Sequence, residues 1–177
     1  PRNFDFPLAD AVVAGVAGGF ATGIAAKLDE VARTYPPGTG DAPFLTNHDQ
    51  DRIATRLGGD AAKLRLAAAI VLTLQGSPFL YYGEEVGAQN GLVGCAGDEC
   101  KRTPMAWDGT AKGGFTSGTP WRPLSPGTAT ANVAAQVGDP ASLLSRYRAL
   151  IRARKGSPAL SRGGLERLPT EGAGVLS

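Results

Sequence analysis

Of the 177 residues, 42% are apolar, 19% charged and 7% aromatic, a balance that supports a buried core and excludes a disordered tail or a coiled coil. Glycine (25) and proline (13) exceed ordinary usage without reaching low complexity, so a loop-rich globular chain is expected. Eighteen Lys and Arg against sixteen Asp and Glu leave a formal charge of +2, which gives no general field for nucleic acid or an anionic membrane; the expected partner is small or neutral.

The longest apolar run, Ala67 to Leu74, is far short of the roughly 20 residues a spanning helix needs. Residue 1 is Pro, and Gly174-Val175-Leu176-Ser177 reads as strand, so both ends are expected to be cuts and a missing leader says nothing about secretion.

Phe20, Ile24, Leu28, Val31 and Tyr35 recur at spacings of three and four and predict an amphipathic helix over about 19–35, stopped by Pro36-Pro37. Ala42 to Thr46 reads as a buried strand feeding the polar loop Asn47-His48-Asp49. Asp60 offers an N-cap, and Leu64, Ala67, Ala68, Val71 and Leu74 form the stripe of a second helix closed by Gly76. Pro78 to Tyr82 reads as a second strand ending at Gly83-Glu84-Glu85, which makes a βαβ unit with parallel strands.

From Gly87 to Gly138 the pattern dissolves into a long ordered excursion around Trp107, Phe115 and Trp121. Asp139-Pro140 is read as the start of a third helix with Leu143, Leu144, Tyr147, Leu150 and Ile151 on its buried face and Gly156 and Pro158 at its end. Arg146, Arg148, Arg152, Arg154 and Lys155 are assigned to that helix's solvated face. Gly163 to Ser177 alternates weakly, as the opening of a β-rich domain would.

In a parallel α/β sheet, reactive groups collect where strands end and loops leave for the next helix. Asn47-His48-Asp49 and Glu84-Glu85 occupy such ends, the layout of a carboxylate-dependent site. His48 is the only histidine, which excludes His-rich metal sites; neighbouring side chains on a strand point to opposite faces, so Asp49 is expected to be poorly placed to orient it. A structural His48 and an Asp49 that only caps its turn are the alternatives.

Phe44-Leu45-Thr46-Asn47-His48-Asp49 resembles the seventh-strand motif of the α-amylase family of glycoside hydrolases, Gly76 to Glu85 resembles its eighth strand, and Arg102-Thr103-Pro104-Met105-Ala106-Trp107-Asp108 resembles the following loop of its oligo-α-glucosidase-like members. Phe115 through Pro123 continues that loop, and Asn3-Phe4-Asp5-Phe6 matches loosely as the tail of a sixth strand.

The resemblance implies an α/β fold, a partial (β/α)8 TIM barrel of the last strands and helices with a long loop insertion. Residues 1–160 would be the C-terminal portion of the catalytic domain and 161–177 the start of a C-terminal β domain. The family's aspartate nucleophile and glutamate acid/base belong to earlier strands, so neither is assigned here. The resemblance implies that Asp49 is the transition-state stabiliser, which binds ring hydroxyls more strongly as the oxocarbenium-like state makes them more acidic. It makes His48, Asn47 and Arg52 substrate-binding, with Asp51 standing where the family commonly has proline. Glu84 and Glu85 are expected at the rim or behind it. Trp107, Phe115 and Trp121 are expected to anchor the loop, with sugar stacking as the alternative.

The implied function is hydrolysis of α-glucosidic bonds in malto- or isomalto-oligosaccharides or starch with retention. The alternatives are a transglucosylase or trehalose-forming isomerase of the same family, and a non-catalytic amylase-like interaction domain, against which an intact Asn47-His48-Asp49 argues. The expected partners are an α-glucan or oligosaccharide and the missing N-terminal part of the barrel, with no nucleic acid and no membrane. No cofactor is assigned, calcium in the parent enzyme being left open. Cys95 and Cys100 can bridge or stay thiols; a local disulfide is favoured and would point to secretion or the periplasm, whereas thiols fit the cytoplasm equally.

Overall fold

The computed structural model describes residues 2–35, 40–91, 97–168, 172 and 174–176. The chain divides into two compact units: Pro1–Leu45 with Leu66–Phe79 and Leu150–Ser177, and Thr46–Arg65 with Leu80–Ala149.

The first unit holds two parallel strands, β1 (Arg2–Phe4) and β2 (Gly40–Ala42), in the register Arg2 to Gly40, Asn3 to Asp41 and Phe4 to Ala42. Between them run α1 (Phe6–Gly18) and α2 (Thr22–Thr34). The Asp5 carboxylate accepts the Leu8 N–H at 2.8 Å, and Pro7 presets the first turn and brings no N–H of its own, so α1 begins with fewer orphan donors to satisfy. Leu8, Ala9, Val12, Val13 and Val16 form its buried face. Gly15 lets α2 approach, since a Cβ there would lie 2.6 Å from the Phe20 carbonyl oxygen and 2.9 Å from Ile24. The helix expected over 19–35 starts later, at Thr22, because α1 runs to Gly18 and the chain turns through Gly19; Phe20 is consequently exposed while Ile24 and Leu28 are buried.

The strand expected over 78–82 is not a regular one. Ser77 N–H donates to Asp41 O and Phe79 N–H to Pro43 O, both at 2.9 Å, as a parallel partner would. A parallel ladder alternates donors from the two chains, and the intervening bond would need an N–H that Pro43 does not have. The segment therefore hangs on two bonds, helped by Phe4 packing edge-on to Phe44 and Phe79 with centroids 5.5 and 4.7 Å apart.

Next come α3 (Ile53–Arg56) and α4 (Ala61–Thr73). Asp60 Oδ1 accepts from Ala62 and Lys63 N–H at 2.8 and 3.0 Å, and Leu64, Ala67, Ala68, Val71 and Leu74 are buried, as the periodicity predicts. At Gly76, φ is +101° and a Cβ would collide with the Asp41 carbonyl, so only glycine fits.

In the second unit the described part of the expected excursion is tied together by side-chain bonds to the backbone. Asn132 caps α5 (Val133–Gln136) by accepting from Ala135 N–H and donates to Thr128 O; Gln136 donates to Val86 O and accepts from Leu144 N–H. Regular helix in α6 (Leu143–Gly156) starts at Leu143, not at Asp139-Pro140: Asp139 closes its own turn onto Ala141 N–H, and Ser142 Oγ accepts from Ser145 N–H. Pro158 opens α7 (Pro158–Arg162), where the sequence reading places only a helix end. The described residues between 163 and 176 form no regular element.

Arg154 corrects the solvated-face expectation. Only 9% exposed, its guanidinium donates to Leu72 O, Leu74 O and Gly76 O at 3.0, 2.8 and 2.5 Å, satisfying carbonyls at the C-terminal end of α4 with a favourable charge. Arg154→Met is expected to destabilise by about 2–4 kcal/mol on chemical denaturation. Arg152→Met, at an exposed position of the same helix, should stay within ~0.5 kcal/mol.

Candidate active site

The site lies within the second unit. Leaving Leu45, the chain makes a turn in which Asn47 Oδ1 accepts the Asp49 N–H at 2.8 Å and Asn47 O accepts the Gln50 N–H at 3.2 Å. This Asx turn projects His48 and Asp49 outward, their side chains 61% and 58% exposed, with His48 Nε2 3.3 Å from Asp49 Oδ1. The opposite-face expectation fails because these residues sit in a turn and not on a strand. Asn47 spends its side-chain oxygen on the turn, so it shapes the loop that presents its neighbours.

A second segment clasps this turn. Arg102 Nη2 donates to Asp49 Oδ1 at 2.8 Å and its Nε to His48 O at 3.1 Å, while Lys101 Nζ donates to Asp49 O at 2.7 Å. Asp98 accepts from both cations, at 3.0 Å from Lys101 and 3.4 Å from Arg102, and the Lys101 hydrogen bond holds its carboxyl below the usual range. Residues Gly97–Lys101 form a 3-10 turn, and Cys100 within it is disulfide-bonded. Cys95, the chain's other cysteine, lies outside the described residues.

Arg52 is elsewhere. Its residue is 2% exposed; Nη1 donates to Tyr82 O at 2.7 Å, Nη2 to Thr103 O at 3.3 Å, and its backbone N–H to Asn90 Oδ1 at 2.9 Å. The guanidinium lies 4.7 Å from the centroids of both Tyr81 and Tyr82. Arg52 thus props up the tyrosine pair, and its cation is spent on backbone carbonyls where the resemblance implies contact with sugar. Gly83 opens space for it: φ is +86° and a Cβ would come within 3.1 Å of the guanidinium.

His48 and Arg102 open onto a cleft of about 560 Å³, with Glu85 as the acidic group on its wall. Tyr81, Tyr82, Trp107, Phe115 and Trp121 supply its aromatic faces. The tyrosines are tied down by hydroxyl bonds to Lys101 O and Thr103 O, and burial pushes the Tyr81 phenol up to about 12. Trp107, Phe115 and Trp121 are exposed, so they do not serve as buried anchors of the excursion; polar side chains bonded to backbone do that work instead. Among the described residues no group of three or more His, Cys, Asp and Glu is arranged to hold a metal ion.

The α-amylase catalytic-domain model matches residues 20–163. The chain belongs to the α-amylase family. Among relatives in this family, alpha-amylase 3 of Dictyoglomus thermophilum is 37% identical over 183 residues, covering 100% of this chain and 35% of the relative. A probable oligo-1,6-glucosidase 2 of Bacillus subtilis is 31% identical over 163 residues, covering 71% of this chain and 29% of that one. The crystal structure of the alpha-amylase from H. orenii superposes with a TM-score of 0.85 at 36% identity, over 99% of this chain and 35% of that one. The chain therefore spans about a third of the length of the α-amylase family relatives it matches.

The two acidic residues after the expected eighth strand separate by environment. Glu85 lines the cleft, whereas Glu84, in the 3-10 turn Glu84–Val86, is buried: Tyr147 donates to Oε1 at 3.2 Å and Oε2 has no hydrogen-bond partner among the described residues. Burial pushes the Glu84 carboxyl up to about 8, against the Tyr147 hydrogen bond that favours its ionised form. A raised acid binds its proton more tightly folded than unfolded, so its stabilising contribution is complete below the ordinary value of 4.5 and is lost as pH rises through about 8. Glu84→Gln should flatten the fall in melting temperature between about pH 5 and pH 8 and raise it relative to the parent at the alkaline end.

Proposed function

We propose that this chain is the C-terminal portion of the (β/α)8 catalytic barrel of a retaining glycoside hydrolase that acts on α-glucosidic bonds of oligosaccharides or starch. The observation that carries this reading is the presentation of Asp49 and His48 side by side from one turn, with Arg102 fixing the carboxylate. A carboxylate held this way gains most when the ring hydroxyls beside the reacting carbon acquire acidity, which is in the transition state. His48 holds the same ring, Asn47 sets the turn, and Arg52 acts from beneath through the tyrosines. The nucleophile and acid/base are assigned to chain outside these 177 residues, in keeping with the third of each relative's length that is matched.

A glucosyl-transfer activity is the second reading, favoured by likeness to the alpha-glucosyl transfer enzyme XgtA, 31% identical with a TM-score of 0.81 over 95% of this chain and 34% of that one. Hydrolysis and transfer differ in whether water or a sugar hydroxyl meets the glycosyl-enzyme, and product analysis with maltose in excess separates them.

Asp49→Asn in the complete enzyme is expected to preserve the fold and to lower kcat/KM by ~10³ or more, with His48→Ala costing less. Near-parental activity of Asp49→Asn would remove Asp49 from the reaction. The 177-residue chain purified alone should not turn over maltose, starch or an aryl α-glucoside above a buffer blank, because two of the required carboxylates are absent.

A further inference from the structure

The proposed reaction makes no use of the two cysteines, yet Cys100 is disulfide-bonded, with Cys95 the only other cysteine in the sequence, and it sits inside the segment that clasps the Asp49 turn. That segment, the 3-10 turn Gly97–Lys101 with Arg102 after it, meets the site along its length. Lys101 Nζ donates to Asp49 O at 2.7 Å and Arg102 Nη2 to Asp49 Oδ1 at 2.8 Å. Lys101 O accepts from the Tyr81 hydroxyl at 3.1 Å. Cys100 O accepts the Gly91 N–H at 2.9 Å, one residue beyond the Asn90 side chain that accepts the Arg52 N–H. Glu99 is ion-paired with Arg122, whose guanidinium lies against the Trp121 ring.

No apolar core keeps this turn in place. None of its five residues is buried, and its ion pairs, Asp98 with Lys101 and Arg102 and Glu99 with Arg122, are partly exposed and individually weak. A covalent link across the four residues Ala96 to Glu99 removes chain freedom that such pairs would otherwise have to restrain by themselves. The direction of Asp49 therefore depends on a bond that solution chemistry can open. Cys100 is only partly enclosed, which leaves its sulfur within reach of an attacking thiolate.

Resting on the glycosidase reading, we propose that the disulfide of Cys100 with Cys95 is a redox control on the Asp49 turn: closed, it holds Lys101 and Arg102 where they clasp Asp49, and opened by a dithiol, it lets them go. A thiolate of the dithiol attacks one sulfur, forming a mixed disulfide and releasing the other cysteine. The second thiolate of the same molecule then displaces the remaining cysteine. The dithiol is oxidised to its cyclic disulfide, the cysteine pair gains two electrons, and two protons pass to the two cysteine sulfurs. Asp49 keeps its charge but loses its fixed direction, so the loss falls on the transition state more than on binding.

The test uses the complete enzyme, oxidised and after dithiothreitol, beside a Cys95→Ser/Cys100→Ser variant, with the bond followed by alkylation and mass. Hydrogen exchange reads the turn directly, because the Asp49 and Gln50 N–H groups bond within it and lie far along the chain from the cysteines. Reduction should speed exchange of these two amides at least ~5-fold and lower kcat/KM for an aryl α-glucoside at least ~10-fold, mostly through kcat, and reoxidation should restore both. The double variant should match the reduced enzyme and ignore dithiothreitol. In a Lys101→Met background the loss on reduction should shrink, because the bond acts through that clasp; a merely structural bond would give additive losses. Unchanged exchange at Asp49 and Gln50 with the bond open overturns the proposal. So do equal turnover in the two states, additive losses, and a bond that dithiothreitol cannot open in the folded enzyme. Faster exchange with no turnover in either state would keep the redox link and sink the glycosidase reading; turnover that ignores the bond would do the reverse.

Discussion

The second unit is organised by the burial of one cation. A guanidinium removed from water must replace several strong hydrogen bonds, and Arg52 does so in part, with two backbone carbonyls from separate segments, Tyr82 O and Thr103 O, and with the faces of two tyrosine rings, while its Nε has no hydrogen-bond partner among the described residues. Because such a group tolerates few arrangements, it fixes which loops meet: the segment after the Asx turn, the segment after Phe79 and the start of the Arg102 loop are drawn to one point. The cleft floor follows from this, since Tyr81 and Tyr82 are the lid of the buried charge on one side and the wall of the cleft on the other. A hydrophobic residue at position 52 could fill the volume but would leave Tyr82 O and Thr103 O without their donors.

Above that floor the polar groups are shared and mostly exposed, and their value lies in geometry more than in stability. Asp49 is bonded at three points, through its own N–H, its carbonyl and one carboxylate oxygen, so its direction is set by the chain itself. Arg102 and His48 both meet Asp49 at the same carboxylate oxygen, Oδ1.

Motifs with short-range physics were legible in the sequence. The Asp60 cap and the stripe from Leu64 to Leu74 needed only local spacing, and the polar turn at 47–49 could be located from the apolar run before it. The first helix carried its signals too, an aspartate cap at Asp5 with Pro7 in the first turn, but the stretch from Leu8 through Val16 is apolar almost all round and lacks the polar contrast that marks an amphipathic period. What could not be read was where long side chains end. Arg154 and Arg52 look like surface and ligand cations in a linear sequence because the carbonyls they satisfy are 78 to 82 and 30 to 51 residues away. The same holds for Glu84 and Glu85, neighbours in sequence, one enclosed against Tyr147 and the other on the cleft wall.

The Arg154 clasp also gives the chain an order of events during synthesis. The end of α4 emerges from the ribosome some 80 residues before the side chain that satisfies its carbonyls, a delay of several seconds at the ~5–20 residues per second of translation. Throughout that interval Leu72, Leu74 and Gly76 must take their hydrogen bonds from water, and the helix end has reason to fray. The first unit draws on residues before 80 and after 149, so it is completed last, after the whole intervening loop has been made. In a nascent chain of this sequence the end of α4 and the apolar faces of the first unit therefore wait longest for their partners.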